Sequence, residues 1–344
     1  MNKLSISLFV ILLIVCLTGY YYWTTTPEYS LKQIATAIEQ HDVDTFEKHV
    51  DIENFVESAI DQFMLEQLSS VTDAKSSGWE SLGAAFGAGL IEMMKPKLAS
   101  YAKKTIIHYV ETGNIDDDIN VKEDEITIAT LTSSIGLADK NNLNFKITKN
   151  GKVAILKIPY HNDEIQTDMV IQITMRDKGG YWRIIEIKNL QDMLAQIEST
   201  KEQQLLAANQ PIKDKIEKTI TVLQLQKTSV GKKSWEEKVR ISMAIRNDHL
   251  RNIVEVSGEI VIKDKSGEVI KSLPVTVETP IKIGTAEILN WEIDINQFKS
   301  DDVKLYKLSN NEVDIDFTAS RIKLDNGNEI KLFSDWNEMK SYQL

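Results

Sequence analysis

Between Leu4 and Trp23 the chain carries no charged residue, and this run constrains its architecture more than any other feature. Twenty apolar or neutral residues rising about 1.5 Å each span about 30 Å, the thickness of a bilayer's hydrocarbon core. Lys3 and the amino terminus precede the run, a charge placement that keeps this end in the cytoplasm. Tyr20, Tyr21, Tyr22 and Trp23 close it as an aromatic belt at the opposite interface. The expectation is a single-pass anchor in the cell membrane, with everything after it outside the cytoplasm. Two other readings share that placement. A cleaved signal peptide would want a small-residue exit where bulky aromatics stand. A lipoprotein would attach through Cys16, but Val15 occupies the position where a small residue is expected.

The remaining length suits two domains. Expected boundaries are 1–26 for the cytoplasmic tip, anchor and linker, 27–210 for a first domain and 211–344 for a second. Cys16 is the sole cysteine, so no intrachain disulfide can form and each domain must rely on its core. The net charge of −11, with few arginines among the basic residues, argues against nucleic acid as a partner.

The fold class read from periodicity is α+β. Thr26-Pro27 is a helix start, followed by Leu31, Ile34, Ala35 and Ile38 at helical spacing. Asp42 caps a short helix with Val43, Phe46 and Val50; Asp51 caps a third with Val56, Ile60, Phe63, Met64 and Leu68. Ser69–Ser77 reads as a loop, and Leu98, Tyr101, Ile106, Tyr109 and Val110 as a helix stopping near Gly113-Asn114. The period then changes to two. Strands are expected over Ile126–Leu131, Leu143–Ile147, Val153–Ile158, Met169–Met175 and Tyr181–Ile187, with turns at Asn150-Gly151 and Gly179-Gly180. A helix from Asn189 to about Ala208 leads to a seam at Ala207–Pro211. Beyond it, alternation at Val239, Ile241, Met243 and Ile245, and short strands out to Leu324, predict an all-β sandwich with Trp291 in its core.

The stretch Thr26–Asp51, with Tyr29, Leu31, Ile34, Ala37, Ile38, Asp42, Phe46, Val50 and Asp51, resembles the opening of a bacterial membrane-anchored family of unknown function. The segments SLGAAFGAGLIEMM and GGYWRIIEIKNL are similar to that family too. The order of helices then curved sheet resembles the cystatin-like cone of nuclear transport factor two, and the last third resembles immunoglobulin-like modules. The resemblance implies fold and location and transfers no catalytic residue.

No motif points to catalysis, a cofactor or a metal. Ser-x-x-Lys occurs at Ser100/Lys103, Ser229/Lys232 and Ser320/Lys323, without the companion elements of serine acyl transfer. The five histidines form no metal-binding motif, and Asp116–Asn120 lacks the glycine and terminal glutamate of a calcium loop. Gly231-Lys232-Lys233-Ser234 lacks the first glycine of a phosphate loop.

The segment Leu82–Met94 asks for more. It has one charge, Glu92, and is too short to span a bilayer. One reading buries it in the first domain. The other makes Leu82, Phe86, Leu90, Ile91, Met93 and Met94 a surface for an envelope protein or a small apolar ligand. The functional expectation is an anchored extracytoplasmic binding or scaffold protein that is not an enzyme. The alternative is an enzyme or apolar-ligand carrier with its site in the cone.

Overall fold

The computed structural model describes residues 16–72, 78–114, 145–231 and 237–342, with side chains described outside 66–93. It is a mixed α+β structure of two compact units, Met1–Thr200 and Lys201–Leu344. Of the apolar run, residues 16–24 are helical, and Tyr20, Tyr21, Tyr22 and Trp23 are exposed. Among the described residues no helix is long and apolar enough to cross a membrane, and residues 1–15 of the expected anchor lie outside them.

The first unit opens with helix α1, Pro27–Gln40. Thr26 accepts from the Tyr29 amide at 3.2 Å, and the helix stops where His41 turns left-handed at φ 58°. Helix α2, Val43–His49, is capped by Asp42, which accepts from the Thr45 amide at 3.0 Å. Helix α3 is Ile52–Thr72 and α4 is Gly78–Thr112. The expected loop at Ser69–Ser77 is therefore helical as far as Thr72, and residues 73–77 lie outside the description. So does the strand expected at Ile126–Leu131.

Four antiparallel strands follow in simple order: β1 Lys146–Asn150, β2 Val153–Asn162, β3 Thr167–Asp177 and β4 Trp182–Ile187. Asn150 pairs with Val153 across Gly151-Lys152, and Gly151 takes the positive φ of 60° that a two-residue hairpin demands. Helices pack on one face of this sheet. Ile34, Ala37, Phe46, Val50, Val56, Ala102 and Val110 meet Ala154, Met175, Trp182 and Ile184 in one buried cluster. Val50 also bridges Ile184, so the α2–α3 corner is stitched to β4.

Helix α5 runs from Leu190 to Thr219. This corrects the seam expected at Ala207–Pro211: the helix continues through Pro211, which lacks the amide that would bond one turn back. Ile212 and Ile216 supply the compensation by packing into the second unit's core.

The second unit is rich in β-structure. Strands β5 Ile220–Val230, β6 Lys238–Asn247 and β9 Ala286–Asp294 form one sheet in the order β5-β6-β9. Strands β7 Ile253–Asp264, β8 Val269–Val277, β10 Val313–Leu324 and β11 Glu329–Lys331 form the other, in the order β11-β10-β7-β8. All pairings are antiparallel. Both sheets feed the same two buried clusters, one around Met243, Ile253 and Ile322 and one around Ile241, Ile260 and Val313.

Two expectations change here. The unit is not all-β, because α5 enters it and two short helices, α6 Ser300–Lys307 and α7 Trp336–Ser341, belong to it. Trp291 lies on edge strand β9 and is only partly buried, packing against both clusters; among the described residues of this unit the buried tryptophan is Trp336. Gly258 on β7 is a close approach: a Cβ there would lie 2.4 Å from the Thr318 carbonyl oxygen, beside the bulge between Ala319 and Arg321.

Candidate functional site

Of the residues expected to form a binding surface, Leu82, Phe86, Leu90, Ile91 and Met93 have side chains outside the described residues; their backbone lies in α4. Met94 is described and is 48% exposed. Leu98 and Tyr101 follow it one and two turns later and are also exposed. Ala99, Ala102, Ile106 and Val110 point the other way, into the core. Helix α4 therefore has a buried face and an outward apolar stripe from Met94 to Tyr101. Pro96, Lys97, Ser100, Tyr101 and Lys104 border a shallow recess of 340 Å³ on this side. Lys95 pairs with Asp61 at 2.5 Å and ties α4 to α3.

A second focus is Trp182, fully buried at the start of β4. Its amide donates to Ser30 Oγ at 2.9 Å, and its indole Nε1 donates to the Thr25 carbonyl at 2.9 Å. His49 Nδ1 donates to the Trp182 carbonyl at 3.2 Å, and the Lys149 ammonium sits 4.9 Å from the indole centroid. One residue thus fixes the end of the N-terminal segment, the first turn of α1 and the end of α2. Burial pushes the His49 pKa down, so the ring is held neutral. Its neighbours are a carbonyl and the Tyr181 ring, a setting that packs a histidine rather than one that hands it a substrate proton. Below it, Arg183 joins Asp51 at 3.3 Å and donates to the Glu47 and Val50 carbonyls. No sequence signal pointed to this network, since its members stand far apart in the chain.

In the second unit the serine motifs separate. Lys232 lies outside the described residues, but Ser229 has another lysine beside it. Lys227 is buried and its ammonium donates to Ser229 Oγ at 3.2 Å and to the Leu308 carbonyl; burial pushes its pKa down. A lysine base for serine would have to accept the hydroxyl proton. Ser229 instead donates to the Tyr306 carbonyl at 2.6 Å, and Lys227 spends its protons on the carbonyl that ends α6. The pair fastens α6 to β5. Asp302 does the same at the other end of α6, accepting from Lys271 at 2.7 Å and from the Asn296 amide at 3.1 Å.

His161 meets Asp168 across β2 and β3 at 2.7 Å, and this hydrogen bond pushes its pKa up. The pair is exposed, and among the described residues no three histidine, cysteine or acidic side chains are grouped to hold a metal ion. Asp116–Asn120 lie outside the described residues.

Residues 14–102 match the model of a family described as "Protein of unknown function (DUF2939)". This supports the family resemblance carried by Tyr29, Leu31, Ile34 and their neighbours over that stretch. No curated protein matches the chain. A solved structure, described as the X-ray structure of Northeast Structural Genomics Consortium target SoR45, is 12% identical; the match covers 33% of this chain and 80% of that one, with a TM-score of 0.22 that carries no argument.

Proposed function

We propose that the chain is a membrane-anchored extracytoplasmic binding or scaffold protein, held at the cell envelope by Leu4–Trp23. The observation that carries this reading is the exit of the apolar run. Residues 16–24 are helical, their last aromatics face outward, and the next residue but one, Thr25 after Thr24, is latched to Trp182 at 2.9 Å. A belt of Tyr and Trp suits a headgroup layer. A rigid attachment directly behind it suits an anchor that must present a folded unit at a set distance.

The finer folds belong to the same reading. Helices laid on one face of a four-stranded antiparallel meander support the cystatin-like cone. With β5, β6, β7, β8, β9, β10 and β11 lettered A, B, C, C′, E, F and G, the sheets read A-B-E and G-F-C-C′. This order supports immunoglobulin-type wiring with the fourth strand moved beside the third. The outward apolar stripe of α4 from Met94 to Tyr101, together with Leu82, Phe86, Leu90, Ile91 and Met93, whose side chains lie outside the described residues, is the proposed surface for an envelope protein or a small apolar ligand.

Carbonate extraction of membranes from cells making the full chain tests the anchor. The chain should stay in the pellet with its N-terminus intact, and Cys16→Ser should not release it. A soluble product beginning near Thr24 would overturn the anchor, and release by Cys16→Ser would replace it with a lipid attachment.

A further inference from the structure

Three loops meet at one end of the second unit, and the side-chain amides of Asn247 and Asn252 tie them into a platform. Asn247, fully buried, ends β6. Its Nδ2 donates to the Arg251 and Ile281 carbonyls, each at 2.9 Å, and its Oδ1 accepts from the His249 amide at 2.9 Å. Asn252 continues the brace. Its Oδ1 accepts from the Ile283 amide at 3.2 Å, and its Nδ2 donates to Asp325 at 3.2 Å. The Asp325 amide returns a bond to the Asn252 carbonyl at 3.0 Å. The β6–β7, β8–β9 and β10–β11 loops are thereby held as one surface before any partner arrives, which lowers the ordering cost of binding.

Two large apolar side chains stand on this platform in the open: Leu250 is 88% exposed and Ile283 is 54% exposed. His249 and Arg251, the chain neighbours of Leu250, border a cavity of 310 Å³ whose lining also includes Lys215, Asn326, Asn328 and Glu329 over an apolar floor of Leu324 and Ile330. Nearby carboxylates already have cations: Asp248 has Arg246 at 2.6 Å, Asp325 has Arg251 at 3.6 Å and Glu329 has Lys323 at 4.0 Å. Lys215 has no carboxylate partner among the described residues. His249 Nδ1 accepts the Arg251 amide at 3.1 Å, so the neutral ring carries its proton on Nε2 as a further donor. On a chain of net charge −11, a concave set of cationic and amide donors runs against the overall sign and selects for negative groups.

The geometry points to a binding site for an acidic segment of a partner protein: a carboxylate seats in the cavity between Lys215, His249 and the asparagine amides, and an apolar neighbour covers Leu250 and Ile283. A cavity with amide donors rewards a discrete carboxylate, which accepts several hydrogen bonds at once. The inference does not rest on the anchor.

The test uses the full chain in neutral detergent micelles and fluorescence polarisation. The probes are a fluorescein-labelled peptide of alternating Asp and Leu, the same peptide with Lys for Asp, and glycerol phosphate as a soluble lipid-headgroup competitor. The acidic peptide should bind and the basic one should not. Lys215→Glu and Leu250→Ser should each weaken binding about tenfold or more without moving the melting temperature, both side chains being on the surface. Absence of acidic-peptide binding, or equal binding by the variants, overturns the proposal. Binding of glycerol phosphate that depends on Lys215, with no peptide binding, assigns the site to a lipid headgroup and overturns it equally.

Discussion

Replacing Trp182 by Phe tests whether the N-terminal segment is latched to the first unit. The ring is fully buried and its Nε1 holds the Thr25 carbonyl at 2.9 Å. Phe keeps an aromatic ring but removes the second ring's apolar surface, equivalent to about two methylenes, or about 1.5 kcal/mol. It also leaves the half-buried Thr25 carbonyl without its donor, which costs about 1 kcal/mol, the low end for an unmade hydrogen bond because water can partly replace the donor. The two losses sum to about 2.5 kcal/mol in a chain beginning at Thr24. In a chain beginning at Pro27 the carbonyl is gone, and the same substitution should cost only the first part, about 1.5 kcal/mol. The assay is urea denaturation of all four proteins, followed by circular dichroism. The second unit's transition serves as an internal control, because Trp182 belongs to the first. Equal costs in the long and short chains would refute the latch, whatever the size of each cost.

Gly258→Ala should lower the melting temperature by the equivalent of about 1–3 kcal/mol, because the new Cβ would meet the Thr318 carbonyl at 2.4 Å; an unchanged melt would show that the bulge yields freely. A chain covering 201–344 should melt cooperatively and at higher temperature than one covering 211–344. The shorter chain loses Gln204, which accepts from Trp336 at 2.9 Å, and Asn209, which bonds both polar groups of Phe333; indistinguishable melts would refute this role for α5. Glu338 has its pKa pulled down to about 2 by Lys331 and by the Ser334 amide and hydroxyl. A depressed carboxyl stabilises the fold above its unfolded pKa of about 4.3, and that contribution fades as pH falls toward 2. Glu338→Gln should therefore melt below the parent at pH 7 and converge with it at the acid end. A gap independent of pH would refute the assignment.

Turn chemistry and uninterrupted alternation were legible from the sequence. Asn150-Gly151 and the run Val239–Ile245 became the hairpin and strand they announce, because each is a local matter of φ and of face. Strand β5 was not seen, and its register shows why. The pairing with β6 slips between Val222 and Gln224, so the apolar residues on either side fall out of phase. A bulge between Ala319 and Arg321 likewise breaks the alternation within β10. Pro211 read as a seam because Pro is costly inside a helix. What holds that helix is tertiary, the packing of Ile212 and Ile216, and a local window does not contain it. The Trp182 network was invisible for the same reason: Ser30 and Thr25 stand 152 and 157 residues from it. Met94 alone of the expected surface residues can be placed by side chain, and it faces outward.

The Trp182 latch also decides where mechanical load goes. A pull on the N-terminal segment reaches Thr25 first, and from there the indole passes it to β4, whose own bonds to β3 run the length of the strand. Helix α1 begins only after that point, with Ser30 fastened to the same residue. Within that path the indole–carbonyl bond and the Trp182 amide bond to Ser30 are the weakest links, so they part before the sheet does. Opening under load therefore begins at the latch, and α1 takes the full pull only once the latch has let go.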